Sequence, residues 1–144
     1  MADPLQIISV IIIIRSKKKF LLVKRALNDD IFPGKWQNLG GKVEIGERIE
    51  KAIVREIQEE IGVSIPETIP PRFVLSYSWQ KDLDSPYRLG VVFEMLVPST
   101  KLSVTLDTEL ADWGWFSMEE IEKMDTIGPD RPRGTIGQLR ASLN

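Results

Sequence analysis

Short apolar runs alternate with polar segments along this chain. The runs Ile7–Arg15 and Phe20–Lys24 are rich in Ile, Leu and Val, are joined by a lysine-rich turn, and predict two buried strands. Apolar, aromatic-containing segments at Arg72–Gln80, Tyr87–Val97 and Trp113–Phe116 predict three more strands. The pattern therefore favours a β-sheet as the centre of the fold.

A different spacing appears in the middle of the chain. Residues 47–61 repeat apolar side chains every three or four positions, which predicts an amphipathic helix, and Gly62 stands where a helix-ending glycine is expected. The stripe expected to face the sheet consists of Ile53, Val54, Ile57 and Ile61. Two shorter helices are predicted, one over Met118–Lys123 and a last one running through Leu139.

The segments between these elements are short. Ala26–Gln37 has the composition of a loop, and a short extended piece is predicted at Lys42–Ile45 after the pair Gly40-Gly41. Strands and helices in mixed order predict an α/β (α+β) fold in which helices cover a mixed β-sheet. At 144 residues the chain is expected to form a single domain over 1–144.

Composition narrows the chemistry. The chain has no cysteine and no histidine, so thiolate metal sites, cysteine nucleophiles and Ser-His-Asp triads are excluded. The net charge of −2 gives no strong nucleic-acid signal. The apolar run at 7–14 is far shorter than the roughly 20 residues that span a bilayer, and no signal-peptide pattern precedes it, so we expect a cytoplasmic protein without a membrane partner.

Three carboxylates cluster on the predicted central helix. Glu56, Glu59 and Glu60 are three or four positions apart and lie beside the apolar stripe, so they repel one another unless a positive charge lies among them. Arg55 supplies one positive charge next to the cluster. Glu47, upstream on the chain, lies within reach of its guanidinium and can pair with it. A hard divalent cation such as Mg²⁺ is another positive charge that suits the cluster, because it prefers oxygen ligands. The alternative is a solvated acidic face.

The order of these residues resembles a known motif. The segment 41–63, GKVEIGERIEKAIVREIQEEIGV, resembles the Nudix box at every defining position. Arg25 at a strand end, Gly34-Lys35-Trp36 before the glycine pair, and Phe116 in a late strand also resemble that family, so the resemblance spans about residues 7–124. One departure is Leu39, where many members have proline; it removes no chemical group.

The resemblance implies an α/β/α sandwich and a metal-dependent hydrolase of nucleoside diphosphates linked to another moiety. By position, the metal ligands are Glu56, Glu59, Glu60 and the backbone carbonyl of Gly41, and the ion is Mg²⁺ or sometimes Mn²⁺. Arg55 and Glu47 correspond to the pair that braces this arrangement. Glu56 or a carboxylate of a later loop then activates the attacking water.

The later carboxylate is Glu109 by its place before a late strand, with Asp107 and Asp112 as alternatives. It is equally consistent with the sequence that these acids lie in a solvent-exposed loop and have no role in the site. Asp112 is also a candidate for contacting the edge of a base.

Substrate contacts have several further candidates. Basic residues are candidates for phosphate contacts: Arg25, Lys35, Arg131 and Arg133. Trp79, Tyr77 and Phe32 are candidates for stacking on a base, although aromatic residues in strands more often pack inside a sheet.

The substrate follows by elimination. The marks of the ADP-ribose, dinucleoside-polyphosphate, reduced-dinucleotide and coenzyme A subfamilies are absent, which favours a nucleoside or deoxynucleoside triphosphate as the small-molecule partner, cleaved to monophosphate and pyrophosphate. The alternatives are an ADP-ribose, sugar-nucleotide or dinucleoside-polyphosphate pyrophosphatase, an RNA 5′-end hydrolase, and a nucleotide-sensing domain without turnover. Free edge strands would allow a homodimer.

Overall fold

The computed structural model describes residue 3 and residues 5–128 and 134–144. These ranges contain seven strands and three helices: β1 (Ile8–Ser16), β2 (Lys19–Arg25), β3 (Trp36–Gln37), β4 (Leu39–Lys42), α1 (Ile49–Ile61), β5 (Arg72–Trp79), β6 (Arg88–Leu96), β7 (Leu110–Ser117), α2 (Met118–Ile121) and α3 (Thr135–Ser142). None of the helices in these ranges has the length and apolar character needed to cross a membrane.

Strand β1 is the hub of the sheet. The hydrogen-bonded order is β3-β2-β1-β6-β5, with β4 paired to β1 and β7 paired to β2. β1 runs parallel to β6, whereas its pairings with β2 and β4 are antiparallel. Residues 9–12 of β1 pair with β4, and residues 14–16 pair with β2, so two strands share one edge of β1. The sheet is therefore mixed, as predicted.

Both faces of the sheet are covered. Val10, Ile12 and Ile14 of β1 belong to the apolar cluster that contains α1, whereas Ile13 belongs to the cluster that contains α2 and α3. The same alternation runs along β2, because successive side chains of a strand point to opposite faces. The structure is thus the α/β/α sandwich that the sequence predicted.

The structure corrects several boundaries. Trp36–Gln37, expected in a loop, forms β3 against β2, and the extended piece expected at Lys42–Ile45 is wrong except at its first residue, because the strand there is Leu39–Lys42. Both corrections come from pairing with distant strands, which local composition does not encode. Helix α1 begins at Ile49 rather than Glu47, α2 ends at Ile121, and α3 continues past Leu139 to Ser142.

One predicted core residue lies outside the core. Val54 was expected in the apolar stripe of α1, but it is 48% exposed, and Ala52 is buried in its place. The buried face of α1 is therefore centred on Ile53 and Ile57. It also includes the side chain of Glu56, which is buried. Gly62 ends the helix in the left-handed conformation, with φ of 66° and its N–H bonded to the carbonyl of Gln58, as predicted.

Candidate functional site

Two glycines bring strand β4 against helix α1. A Cβ on Gly41 would overlap the carboxylate of Glu56, and a Cβ on Gly40 would overlap the backbone carbonyl of Val10 in β1. At Gly40 the missing side chain is required for contact with the backbone of β1, and at Gly41 it leaves room for the side chain of Glu56. As a result, the backbone of β4 lies directly beside the acidic face of α1.

Arg55 is the centre of the acidic cluster. Its Nη1 donates to Glu56 Oε1 at 2.9 Å and to Glu59 Oε2 at 3.2 Å, and its Nη2 donates to the carbonyl of Lys42 at 3.0 Å. The guanidinium also donates through Nε and Nη2 to the two oxygens of Glu47, at 2.8 and 2.9 Å. One cation thus binds three carboxylates and fixes the end of β4 to the helix.

Glu47 holds this guanidinium from outside the helix. The forked hydrogen bond from Arg55, together with the backbone N–H of Glu44 at 3.1 Å, lowers the pKa of the Glu47 carboxyl to about 2. The same contact raises the pKa of Arg55, which stays charged. Glu47 therefore remains an anion and orients Arg55.

Glu60 contacts strand β4 instead of Arg55. Its Oε1 accepts the backbone N–H of Gly40 at 3.2 Å, and its Oε2 is buried without a hydrogen-bond partner among residues 5–128 and 134–144. Burial, with the negative charges of Glu56 and Asp107, raises the pKa of Glu60 to about 8. Burial and these two charges outweigh the N–H of Gly40 and the positive charge of Arg25, both of which lower the pKa of Glu60. Burial also raises the pKa of Glu56, against the lowering effect of Arg55.

The segment after residue 104 reaches this pocket through its main chain. The N–H of Asp107 donates to the carbonyl of Glu60 at 2.9 Å, and the N–H of Thr105 donates to that of Ile61 at 2.8 Å. Of the three acids considered for the later carboxylate, Asp107 is the one whose charge acts on Glu60. Glu109 and Asp112 are exposed, and Asp112 accepts the N–H of Trp113.

The carboxylates do not converge on one point as they stand. Within residues 5–128 and 134–144, no three acidic side chains are grouped closely enough to hold a metal ion. The reason is visible in the contacts: Glu59 is turned toward Arg55, whereas Glu60 faces Gly40. A cation bound here would require Glu59 to exchange its contact with Arg55 for a contact with the ion.

A cavity of about 240 Å³ adjoins this cluster. Gly40 and Gly41 form part of its wall, and the same two glycines contact Glu60 and Glu56 of α1. The polar and aromatic side chains that line it include Arg25, Phe32, Asn38, Tyr77, Trp79 and Gln138. A mostly apolar cavity with a few polar groups, next to an acidic cluster, has the composition of a small-molecule site.

Arg25 and Lys35, two of the residues predicted to contact phosphate, form hydrogen bonds or ion pairs with other residues of the protein. Arg25 lines the cavity, but it donates to Ile31 O at 2.6 Å, Asp29 Oδ2 at 2.9 Å and Gln37 Oε1 at 3.2 Å. It therefore holds the loop before β3 in place. Lys35 forms an ion pair with Asp125 and does not line the cavity.

The other two basic candidates, Arg131 and Arg133, lie outside the described residues.

The three aromatic candidates meet at the cavity. Tyr77 and Trp79 are two positions apart on β5 and so share one face of the strand, and Phe32 comes from the loop before β3. Gly90 on β6 leaves the space that the ring of Tyr77 fills. The guanidinium of Arg88 lies 5.1 Å from the centre of the Trp79 ring, a cation–π contact.

Sequence reasoning missed Asn38, Gln138 and Arg88 as cavity residues. A signal existed for the first two. Asn38 is a polar residue directly before buried Leu39, and Gln138 lies between Ile136 and Leu139 on the apolar side of α3. Polar residues within apolar stretches are candidates for buried hydrogen bonds. No comparable signal marked Arg88, which depends on the pairing of β5 with β6.

The chain is similar to known proteins along most of its length. The model of the NUDIX domain matches residues 5–135. A nucleoside triphosphatase NudI of Klebsiella pneumoniae is 30% identical over 123 residues, 78% of this chain and 83% of the relative. The NudI of Salmonella newport is 34% identical over 113 residues, covering 74% and 78%.

Solved structures show the same likeness. The crystal structure of a MutT protein from Methanosarcina mazei matches with a TM-score of 0.66 and 30% identity, covering 86% of each chain. A NUDIX hydrolase from Nitrosomonas europaea matches with a TM-score of 0.72 and 26% identity, covering 96% of this chain and 88% of the other.

The two glycines of β4 predict different effects on stability. Gly40→Ala places a methyl group against a backbone carbonyl, so we expect the free energy of unfolding to fall by about 1–3 kcal/mol. Gly41→Ala displaces only the carboxylate of Glu56, so we expect a change within about 1 kcal/mol. Urea unfolding of both variants measures the difference, and equal losses would contradict the assigned contacts.

Glu47 predicts a pH-dependent contribution to stability. Its pKa is about 2 in the folded protein and 4.5 ordinarily, so its charge stabilises the fold above pH 4.5, and this stabilisation is lost as the pH falls toward 2. We expect Glu47→Gln to be less stable than the parent protein at pH 7 and to approach it at pH 3, as measured by urea unfolding.

The matched control is Glu44→Gln, because the Glu44 carboxylate is exposed and 4.0 Å from Arg55. It is expected to change little at either pH. A loss for Glu47→Gln that is the same at pH 7 and pH 3 would show that its pairing with Arg55 is not the cause.

Proposed function

The chain belongs to the Nudix hydrolase family, and from this premise we propose that it hydrolyses nucleoside triphosphates to a nucleoside monophosphate and pyrophosphate. The observation that carries the proposal is that Gly40 and Gly41, which contact Glu60 and Glu56 of α1, also line a cavity of about 240 Å³ with aromatic side chains in its wall. The relatives named nucleoside triphosphatase support the same substrate class.

Nudix hydrolases use divalent metals, and the donor atoms of this cluster suit such an ion once Glu59 turns from Arg55 toward it. In the described part of the chain, Glu60 Oε2 is a buried carboxylate oxygen without a hydrogen-bond partner, and carboxylate and carbonyl oxygens are the ligands that hard divalent cations prefer. The residues that would hold it are Glu56, Glu59, Glu60 and the carbonyl of Gly41. We propose Mg²⁺, with Mn²⁺ as a substitute.

The chain's own residues divide the work of hydrolysis. A bound divalent cation supplies the positive charge that offsets negative charge developing on the phosphate oxygens. Glu47 holds Arg55, and Arg55 in turn fixes one oxygen of Glu56 beside the Gly41 backbone. Glu56 or the later carboxylate accepts the proton of the attacking water. For that second role the contacts favour Asp107 over the exposed Glu109.

The cavity binds the nucleoside in this proposal. Tyr77, Trp79 and Phe32 offer aromatic faces for a base, because every nucleobase has a π-face on which such rings stack. Gly40 and Gly41 join the cavity to the acidic cluster, so a base in the cavity directs its phosphates toward Glu56 and Glu60. Arg25 contributes by holding the loop that carries Phe32.

The remaining parts of the proposal concern the setting of the protein. We place the activity in the cytoplasm, where nucleoside triphosphates are present, and treat residues 1–144 as a single catalytic domain. We also propose a homodimer formed through an edge strand of the sheet. Strand β5 is such an edge in the described part of the chain, because β6 is its one hydrogen-bonded neighbour there.

The reaction is tested by mass spectrometry of the products. The protein with Mg²⁺ is incubated with ribo- and deoxyribonucleoside triphosphates, oxidised triphosphates, ADP-ribose, sugar nucleotides and dinucleoside polyphosphates. We expect a monophosphate and pyrophosphate from a triphosphate. Cleavage of the other diphosphate derivatives alone would replace this substrate class with theirs, and a panel that stays intact while nucleotides still bind would indicate a sensing domain.

Glu60→Gln tests the role of the cluster. We expect kcat to fall by about 100-fold or more because an essential charged group is lost, while the free energy of unfolding does not fall, since a carboxylate with an unfavourable burial is neutralised. Glu50→Gln, on the exposed side of the same helix, is the matched control and retains activity. A fully active Glu60→Gln protein would show that the acidic cluster is not the reaction centre.

A further inference from the structure

Two buried amide side chains meet in the wall of the cavity. Asn38 is the single residue between β3 and β4 and is 4% exposed, and Gln138 on α3 is 3% exposed. Asn38 Nδ2 donates to Gln138 Oε1 at 2.9 Å, which joins the two sides of the cavity wall across 100 positions of sequence. Both residues line the cavity itself.

The pairing leaves one atom unsatisfied. Asn38 Oδ1 is buried and has no hydrogen-bond partner among the described residues. Because Nδ2 is bound to Gln138, the amide of Asn38 is held with its oxygen as the remaining acceptor. A buried acceptor without a partner is unfavourable, because it has lost its hydrogen bonds to water and gained none, so such atoms in native proteins call for an explanation.

A purely structural role for the hydrogen bond between Asn38 and α3 does not explain the unpaired oxygen. The hydrogen bond between the two residues uses Asn38 Nδ2 and Gln138 Oε1, and it would form equally well without an acceptor at Asn38 Oδ1. A ligand in the cavity does provide an explanation, since Asn38 is a cavity residue. The acceptor would be satisfied when the ligand brings a hydrogen-bond donor.

We propose that Asn38 determines base specificity: its Oδ1 accepts a hydrogen bond from the exocyclic amino group of a nucleobase held in the cavity, with Gln138 as the residue that orients the Asn38 amide. The inference rests on the proposed function and deepens it from nucleoside triphosphates to those whose base carries an amino group. Adenine, cytosine and guanine have such a group, whereas uracil and hypoxanthine lack it.

The neighbouring side chains fit this assignment. The ring of Trp79 and the ring of Tyr77 line the same cavity and offer apolar faces for the base, and the Asn38 amide offers the polar contact that distinguishes one base from another. A site built to hydrogen-bond a substrate group rejects the analogue that lacks it, because the protein atom is then left unpaired again.

The test compares ligands that differ by one amino group. Binding of nucleoside monophosphates, which are not hydrolysed, is measured by calorimetry for guanosine against inosine, adenosine against purine riboside, and cytidine against uridine 5′-monophosphate. We expect the parent protein to bind the amino-bearing member of at least one pair about tenfold more tightly. Asn38→Leu, of similar size, is expected to lose that preference.

Gln138→Met is the second variant, and it keeps the inference testable if Asn38→Leu does not fold. It removes the acceptor that holds Asn38 Nδ2, so the amide can rotate and the preference is expected to decrease. Gln80→Met is the control, because Gln80 bonds the carbonyl of Ser85 and does not line the cavity. It should retain the full preference.

The outcomes separate the two proposals. A parent protein with no preference in any pair, or an Asn38→Leu protein that weakens binding of both members equally, overturns the role of Asn38 as a base contact. Neither result bears on triphosphate hydrolysis, which the products of the parent protein decide. Conversely, a lost preference in Asn38→Leu supports the inference even if hydrolysis is directed at another nucleotide class.

Discussion

The arrangement around helix α1 depends on one guanidinium placed among carboxylates. Without Arg55, four acidic side chains on one helix and the preceding turn would repel one another in a partly buried setting. Its hydrogen bonds to Glu47, Glu56 and Glu59 offset that repulsion, and its bond to the carbonyl of Lys42 fixes the end of β4. Glu60, which receives no such bond, keeps a buried oxygen that has no hydrogen-bond partner in the described part of the chain.

Much of this could be predicted from sequence because the information was local. The spacing of Ile53, Ile57 and Ile61 gave the helix and its buried side, and Gly62 gave its end, since helix periodicity and helix caps are properties of neighbouring residues. The acidic cluster lies within five positions of one helix, so its members had to be close in space. The family followed from the same short segment, and the comparisons agree with it.

The rest required contacts between distant segments. β3 forms because Trp36 and Gln37 meet β2, and the cavity forms because the loop before β3, strand β5 and helix α3 come together. Arg25 was expected at a phosphate, but its donors are used by Asp29, Ile31 and Gln37. A sequence reveals that an arginine is present, whereas the partners that compete for its five N–H groups are set by the fold.

The main-chain bonds that place Asp107 also bear on how such a site can change over evolution. The segment is held to the end of α1 by its own N–H groups, from Thr105 and Asp107 to Ile61 and Glu60. Because peptide groups and not side chains make these bonds, the backbone position tolerates replacement of the side chain at 107. The side chain that this segment presents near Glu60 can therefore change without a change in the backbone scaffold and at little cost in stability.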